Sequence, residues 1–156
     1  MKIHPATSSD SFILSSLSVD VQRLHAEHHP GIFKIPENED YAVSFFEAMV
    51  ADQTVMIFIA EDEEKAIGYI LCKLIERPDN PFTYAARTLL VDQISVRPEA
   101  RGKGVGQALM KQAEALGLEL KVARIHLDSW DFNLGAHAFF ERMGYQRFNF
   151  RFWKYL

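Results

Sequence analysis

The sequence predicts a mixed α/β fold with elements in the order β-α-α-β-β-β-α-β-α-β. Three observations carry this. Runs with helical spacing alternate with runs rich in β-formers along the 156 residues, with no internal repeat, low-complexity tract or linker. Residues 54–62 and 65–76 are strand-like runs separated by a brief acidic turn, the mark of an antiparallel hairpin. A helical run lies between strand-like segments 87–96 and 123–130, a βαβ unit whose strands run parallel with a right-handed crossover. Residues 1–156 are expected to form one domain, long enough to bury a core without staples.

Residues 2–6 read as a short first strand. Thr7, Ser8, Ser9 and Asp10 supply cap chemistry for a helix over 9–28, with Ile13, Leu17, Val21 and Leu24 at helical spacing. Pro30 and Gly31 end it, and the segment GIFKIPEN is a loop. Asn38 is the expected cap of a second helix whose buried face carries Val43, Phe46, Met49 and Val50. The hairpin 54–62/65–76 follows, its tip Glu61-Asp62-Glu63-Glu64 solvated. After the turn-rich RPDNPF comes strand 87–96, then a helix over 104–117 burying Val105, Leu109, Ala113 and Leu116, then strand 123–130. Asn133 to Met143 is a helix stopped by Gly144. The tail YQRFNFRFWKYL alternates like a strand.

Composition narrows the function classes. Apolar content of 48% and charged content of 24% are those of an ordinary soluble globular protein. A net charge of −4 argues against a general nucleic-acid binder, which wants a basic face. The single cysteine, Cys72, excludes an internal disulfide, fits a reducing, cytoplasmic compartment, and reads as a small buried hydrophobe. No signal peptide opens the chain and no apolar stretch reaches membrane-span length, so no membrane association is expected.

The most informative stretch is VRPEARGKGVGQALM, residues 96–110, which packs three glycines into five positions where a strand hands over to a helix. A nucleoside-triphosphate loop would need Gly-Lys-Ser/Thr, which is absent. A dinucleotide fingerprint would need Gly-x-Gly-x-x-Gly on the first strand, whereas Gly102-x-Gly104-x-Gly106 follows the fourth. What stays is the shared physics. Free N–H groups at a helix N-terminus and the helix dipole attract an anion, and glycines let a pyrophosphate approach the main chain. Arg101 and Lys103 add positive charge. A Gly-rich turn that merely ends a strand is the bland alternative.

Two motifs give the chain a likeness. Arg101-x-x-Gly104-x-Gly106 is similar to the Gln/Arg-x-x-Gly-x-Gly/Ala signature of the GNAT N-acetyltransferase superfamily, with Val96-Arg97-Pro98-Glu99 as lead-in and Gln107-Ala108-Leu109-Met110 opening the helix. Asn133-x-x-Ala136-x-x-Phe139-Phe140-Glu141-Arg142-Met143-Gly144-Tyr145 resembles that family's second conserved block. The resemblance implies an open, twisted mixed sheet of about six to seven strands flanked by four helices. It implies acetyl-CoA as co-substrate and no metal. Arg101, Gly102, Lys103, Gly104, Val105 and Gly106 would hold the coenzyme pyrophosphate. Ile94 and Val96 main-chain groups would bond the pantetheine arm, with a Val96 N–H on the thioester carbonyl as oxyanion donor. Asn133 would contact the arm from the far side of the cleft, and Phe140 would pack against the pantetheine or the core.

The implied activity is acetyl transfer to a primary amine by direct attack in a ternary complex. The acceptor is a small molecule or a peptide amine. Asp92, a carboxylate among Leu89, Leu90, Val91 and Ile94, is the candidate general base; the alternative is an Asp tied to backbone or Arg. Gln93 is expected to face the opposite side. The chain departs from the family at Phe140, often a tyrosine that protonates the leaving thiolate. That proton is then left to water or to a tyrosine such as Tyr84 or Tyr145. The departure also admits a rival, a catalytically weak or inactive acyl-CoA sensor; a nucleotide-binding protein is a third possibility. His25, His28 and His29 are weighed as metal ligands, as lining of a substrate loop and as solvated surface, with no fourth ligand evident. His126 and His137 are read as packing or capping. The aromatic tail, Phe148, Phe150, Phe152, Trp153 and Tyr155, is read first as core, then as the edge of a homodimer or part of the acceptor pocket.

Overall fold

The computed structural model describes residues 1–154 and 156. Five strands, β1 (Lys2–Pro5), β2 (Val55–Asp62), β3 (Lys65–Arg77), β4 (Ala86–Val96) and β5 (Arg124–Leu127), form one sheet in the order β1-β2-β3-β4-β5. The first four pair antiparallel; β4 and β5 pair in parallel, joined by α3 (Val105–Glu119) as expected of a βαβ unit. Helices α1 (Ser11–His28) and α2 (Val43–Ala51) cover one face, and α3 and α4 (Leu134–Arg142) the other.

The period-2 pattern divides the sheet between two cores. Ile70, Cys72, Leu89 and Val91 pack against Val105, Leu109, Met110 and Ala113 of α3 and Phe140 of α4. Ile57, Ile59, Tyr69 and Leu71 pack against Leu14 and Leu17 of α1 and Phe46 of α2. Cys72 is fully buried, and burial pushes its thiol up to about 12, so it is a core residue without nucleophilic character.

Helix α1 buries Leu14, Leu17, Val19, Ala26 and four serines, Ser11, Ser15, Ser16 and Ser18. Small side chains bring the helix close to the sheet, and their hydroxyls find partners: Ser18 donates to the Ser15 carbonyl at 2.7 Å, and Ser95 of β4 donates to the Leu17 carbonyl at 2.7 Å. Asn38 does not cap α2. The helix starts at Val43 with no side-chain cap, and the Ala42 N–H before it donates to Ser15 Oγ of α1 at 3.0 Å. The sheet has five strands rather than six or seven. The tail forms no strand among its described residues, and Tyr155 lies outside them.

The β2–β3 turn stores strain. Asp62 pairs with Lys65, which leaves a two-residue loop, Glu63 and Glu64, with φ of 47° and 62°. Both central residues are left-handed, the conformation that favours an Asn-Gly pair. The double substitution E63N/E64G should stabilise the fold by about 1 kcal/mol. Thermal unfolding should show this as a rise of about 2–4 °C in Tm.

Candidate functional site

One surplus residue in β4 organises the site. Across β3, Leu71 pairs with Gln93 and Cys72 with Val91, so Asp92 is a β-bulge. Before it, Leu89 and Val91 face α3; after it, Ile94 and Val96 do. Asp92 and Gln93 therefore both point to the α1/α2 face. This corrects the expectation that Gln93 faces away from Asp92: a strict alternation cannot register an inserted residue. Pairing of β4 with β5 also ends at Val91, opposite Leu127. A bulge bends its strand and increases its twist, so β4 diverges from β5 from Asp92 onward.

The exposed edge is polar backbone. The Arg97 N–H donates to the Ile67 carbonyl at 2.9 Å, which makes 97–67 a hydrogen-bonded pair. Alternation then makes Val96 opposite Gly68, and Ile94 opposite Ile70, non-hydrogen-bonded pairs. Their N–H and C=O groups point away from β3, into the gap that β5 leaves. Gly68 permits the tight β3–β4 approach here: a Cβ on it would lie 2.7 Å from the Ser95 carbonyl. The sequence reading did not single out Gly68, and a lone glycine within a strand is the signal that could have found it.

Beyond Val96 the chain turns through Pro98–Ala100 and enters α3. Arg97 fastens the turn, donating to the Ala66 carbonyl at 3.1 Å and to Ser16 Oγ at 3.0 Å. Arg101 Nε donates to the Val96 carbonyl at 3.1 Å, which sets its guanidinium beside the end of β4. Gly102 and Gly104 take φ of 73° and 82°, and a Cβ on either would meet nothing within 4 Å. Their need is conformational, and the space above them is open. Among the described residues no acceptor meets the N–H groups of residues 102–107; the first bond of the α3 series runs from Ala108 to the Gly104 carbonyl at 3.0 Å. Gly106 instead lets the ring of Phe139 approach, at 3.4 Å from a notional Cβ, which seats α4 against the start of α3.

On the α1/α2 face a string of polar side chains runs from the bulge. Lys73 Nζ lies 3.0 Å from Asp92 Oδ2, both partly buried. This settles Asp92's partner as a lysine, not backbone or arginine. Tyr69 donates its hydroxyl to Gln93 Oε1 at 2.6 Å. Complete burial, with Tyr41 and Asp92 close by, holds the Tyr69 hydroxyl protonated well above the usual tyrosine range. The Tyr41 hydroxyl shares a 2.7 Å hydrogen bond with Ser18 Oγ, and burial raises it too.

At the far wall, Asn133 Oδ1 caps α4 by accepting from the Ala136 N–H at 3.2 Å. Phe140 is nearly buried, edge-on to Phe139 and Tyr145 at centroid distances of 5.2 and 6.2 Å. The Tyr145 hydroxyl donates to Glu114 Oε1 at 3.4 Å; burial and that carboxylate push it up to about 12. Tyr84 is exposed at the tip of the β3–β4 arm, remote from the bulge.

The three histidines of α1 form an aromatic cluster rather than a metal site. His28 stacks on Phe132 at 4.0 Å, His25 meets Phe33 at 4.8 Å, and His29 meets Trp130 at 4.8 Å. Together they pin the end of α1 to the loop that follows β5. His137 Nε2 bonds the Trp130 carbonyl at 2.9 Å, a packing role as expected. Among the described residues no cluster of three or more His, Cys, Asp or Glu is placed to hold a metal ion, and no helix is long and apolar enough to cross a membrane.

Comparison with known proteins agrees with this architecture. The BH1408 protein of Bacillus halodurans, solved as a tetramutant, is 26% identical over the full length of both chains, with a TM-score of 0.93. The aminoglycoside antibiotic 6'-N-acetyltransferase AAC(6')-Ig of Acinetobacter haemolyticus shares the fold at 18% identity and a TM-score of 0.74, with 100% of this chain and 98% of that one covered. So does aminoglycoside N-acetyltransferase AAC(6')-Iy, solved with CoA, at 16% identity and a TM-score of 0.66 over 99% of each chain. The sequence profile of the acetyltransferase (GNAT) family matches residues 19–145, and the chain thus belongs to that family of acetyl-CoA-dependent acetyltransferases.

Proposed function

We propose that the chain moves an acetyl group from acetyl-CoA to a primary amine by direct attack in a ternary complex. The observation that carries this is the continuous run of unengaged N–H groups over residues 102–107, next to the unpaired edge of β4. Backbone donors of this kind suit a diphosphate, and the α3 dipole adds to the attraction. Gly102, Lys103, Gly104, Val105 and Gly106 would hold it, with Arg101 and Lys103 as nearby cations. Ile94 and Val96 would bond the pantetheine arm as a neighbouring strand would, and the Val96 N–H would receive the charge that develops on the carbonyl oxygen. Asn133, its Oδ1 engaged at the cap, keeps its amide N–H groups for the arm. Phe140 would contribute an apolar ring edge. The coenzyme supplies the activated thioester; this chain supplies orientation, charge complementarity and a proton acceptor.

Asp92 is the proposed acceptor of the amine's proton. An alkylamine with a pKa near 10 arrives mostly protonated at neutral pH. Asp92 stands where β4 leaves β5, and Lys73 offsets its charge. No general acid is assigned: Phe140 has no hydroxyl, and that of Tyr145 is occupied by Glu114. The same observation favours a second reading, an acyl-CoA-binding sensor without turnover. Release of free thiol with a panel of amines separates the two. Turnover supports the transferase, and stabilisation by acetyl-CoA without turnover supports the sensor.

Two substitutions test the assignments. Gly104→Ala places a methyl group in the open space above the loop, at a φ of 82°. It should cost about 1 kcal/mol of stability and weaken CoA binding by about tenfold or more, read by calorimetry. Unchanged affinity would remove the diphosphate from this loop. Asp92→Asn should slow thiol release by about 10²-fold at neutral pH, and the deficit should narrow as the pH approaches about 10, where the amine arrives already neutral. A deficit independent of pH would make Asp92 structural.

A further inference from the structure

We propose, on the reading of this site as a transferase, that the amine it acylates carries a carboxylate beside its amino group, as a free α-amino acid does, and that Lys73 and Gln93 recognise that carboxylate. Gln93 supplies the first observation. The Tyr69 hydroxyl is completely buried and needs an acceptor for its proton; the acceptor it has is Gln93 Oε1, at 2.6 Å. Burial, with Tyr41 and Asp92 close by, keeps that proton on Tyr69. With Oε1 committed, the Gln93 amide is fixed one way round, and its two N–H groups are left for another partner. Among the described residues no acceptor meets them. Gln93 is partly exposed, and it stands in β4 between Asp92, the proposed proton acceptor, and Ile94, a proposed partner of the pantetheine arm. A donor pair locked at that place selects an oxygen on the substrate rather than a second ammonium.

Lys73 supplies the second observation. Its ammonium lies 3.0 Å from Asp92 Oδ2, with 29% and 28% of the two side chains exposed. When Asp92 takes a proton from the amine its charge disappears, and Lys73 keeps a mostly covered positive charge without that counter-ion. Stranding one member of a covered ion pair is costly. Asp52 also feels Lys73, but it is exposed, and its Oδ1 already accepts from the Thr54 N–H and hydroxyl, each at 2.8 Å. A carboxylate on the substrate restores the balance through a charge-assisted bond to the ammonium. Before transfer the charges pair crosswise, substrate ammonium to Asp92 and substrate carboxylate to Lys73. The Lys73–Asp92 pair is thus the complement of a zwitterion. A simple alkylamine satisfies Asp92 alone and leaves Lys73 and the Gln93 N–H groups to water. The transfer itself balances as already proposed: the nitrogen bonds the acetyl carbon and the carbon–sulfur bond breaks. Of the two protons the ammonium gives up, one goes to Asp92 and one to the departing thiolate by way of solvent.

Thiol release from acetyl-CoA should be compared between amino acids and their decarboxylated amines: tyrosine with tyramine, histidine with histamine, lysine with cadaverine. The best substrate of the panel should be an amino acid, and its kcat/KM should exceed that of its own amine by about tenfold or more. Lys73→Met should erase most of that ratio, Lys73→Arg should keep it, and Gln93→Glu should reverse it. The ratio is taken within each variant, so a general loss of activity leaves it readable. Where nothing is turned over, calorimetric binding of the same pairs in the presence of CoA gives the ratio, so that failure of the transfer reading and failure of this one stay distinct. An amine acylated or bound as well as its amino acid in every pair, an amino-acid amide as good as the free acid, or a ratio unchanged in both Lys73→Met and Gln93→Glu would overturn the assignment.

Discussion

The single residue inserted at Asp92 is the constraint on which the rest of the site depends. It acts twice. It moves the side chains after it by one step, so that Asp92 and Gln93 share the α1/α2 face while Ile94 and Val96 rejoin the α3 core. It also marks the last rung between β4 and β5. Without the surplus residue strict alternation would run through β4 and place Asp92 and Gln93 on opposite faces. The polar face and the open edge are thus consequences of one local defect, held in place by two cores that fix β4 from both sides.

The two halves of the site are built from different materials. On the α3 side the groups on offer are main chain: the edge of β4 and the N–H groups of 102–107. Backbone geometry requires only that certain positions be glycine, as at Gly102 and Gly104, or approach closely, as at Gly68. On the α1/α2 side the groups are side chains: Lys73, Asp92, Gln93, Tyr69, Tyr41 and Ser18. These can change without disturbing the sheet. The backbone framework is thus separable from its side chains, and structures at 16–18% identity share the fold at TM-scores of 0.66–0.74.

How much of this was legible follows the same division. Strands β2, β3 and β4, helices α3 and α4 and the glycine loop could be read from periodicity and turn residues, since those signals are local. The bulge could not, because a strand carrying one extra residue still looks like a strand. Helical spacing of large apolar residues finds α1 but overlooks the serines it buries, which pack and bond at once. The Ala42 N–H at the start of α2 finds its acceptor in Ser15 on another helix, 27 residues away, beyond any local rule. The tail alternates like a strand, yet none of its described residues forms one, since propensity does not create a partner.

The tyrosine missing at Phe140 weighs less on the chemistry than it first suggests. A thiol with a pKa near 8.5 leaves as thiolate at pH 7 at a cost of about 2 kcal/mol, small beside the roughly 8 kcal/mol or more that enzymes remove from a barrier. A donor that spared this cost would give at most about thirtyfold. Deprotonating an ammonium of pKa near 10 costs about 4 kcal/mol at the same pH. In the proposed transfer the acceptor's proton would therefore be the larger obstacle, and the charged groups of the cleft would stand on its side. Asp92 and Lys73 lie on the α1/α2 face, whereas the α4 wall offers a phenyl ring and no hydroxyl at Phe140. For the proposed transfer, reception of the amine would then be the governing step, and the thiolate would depart into solvent without a dedicated acid.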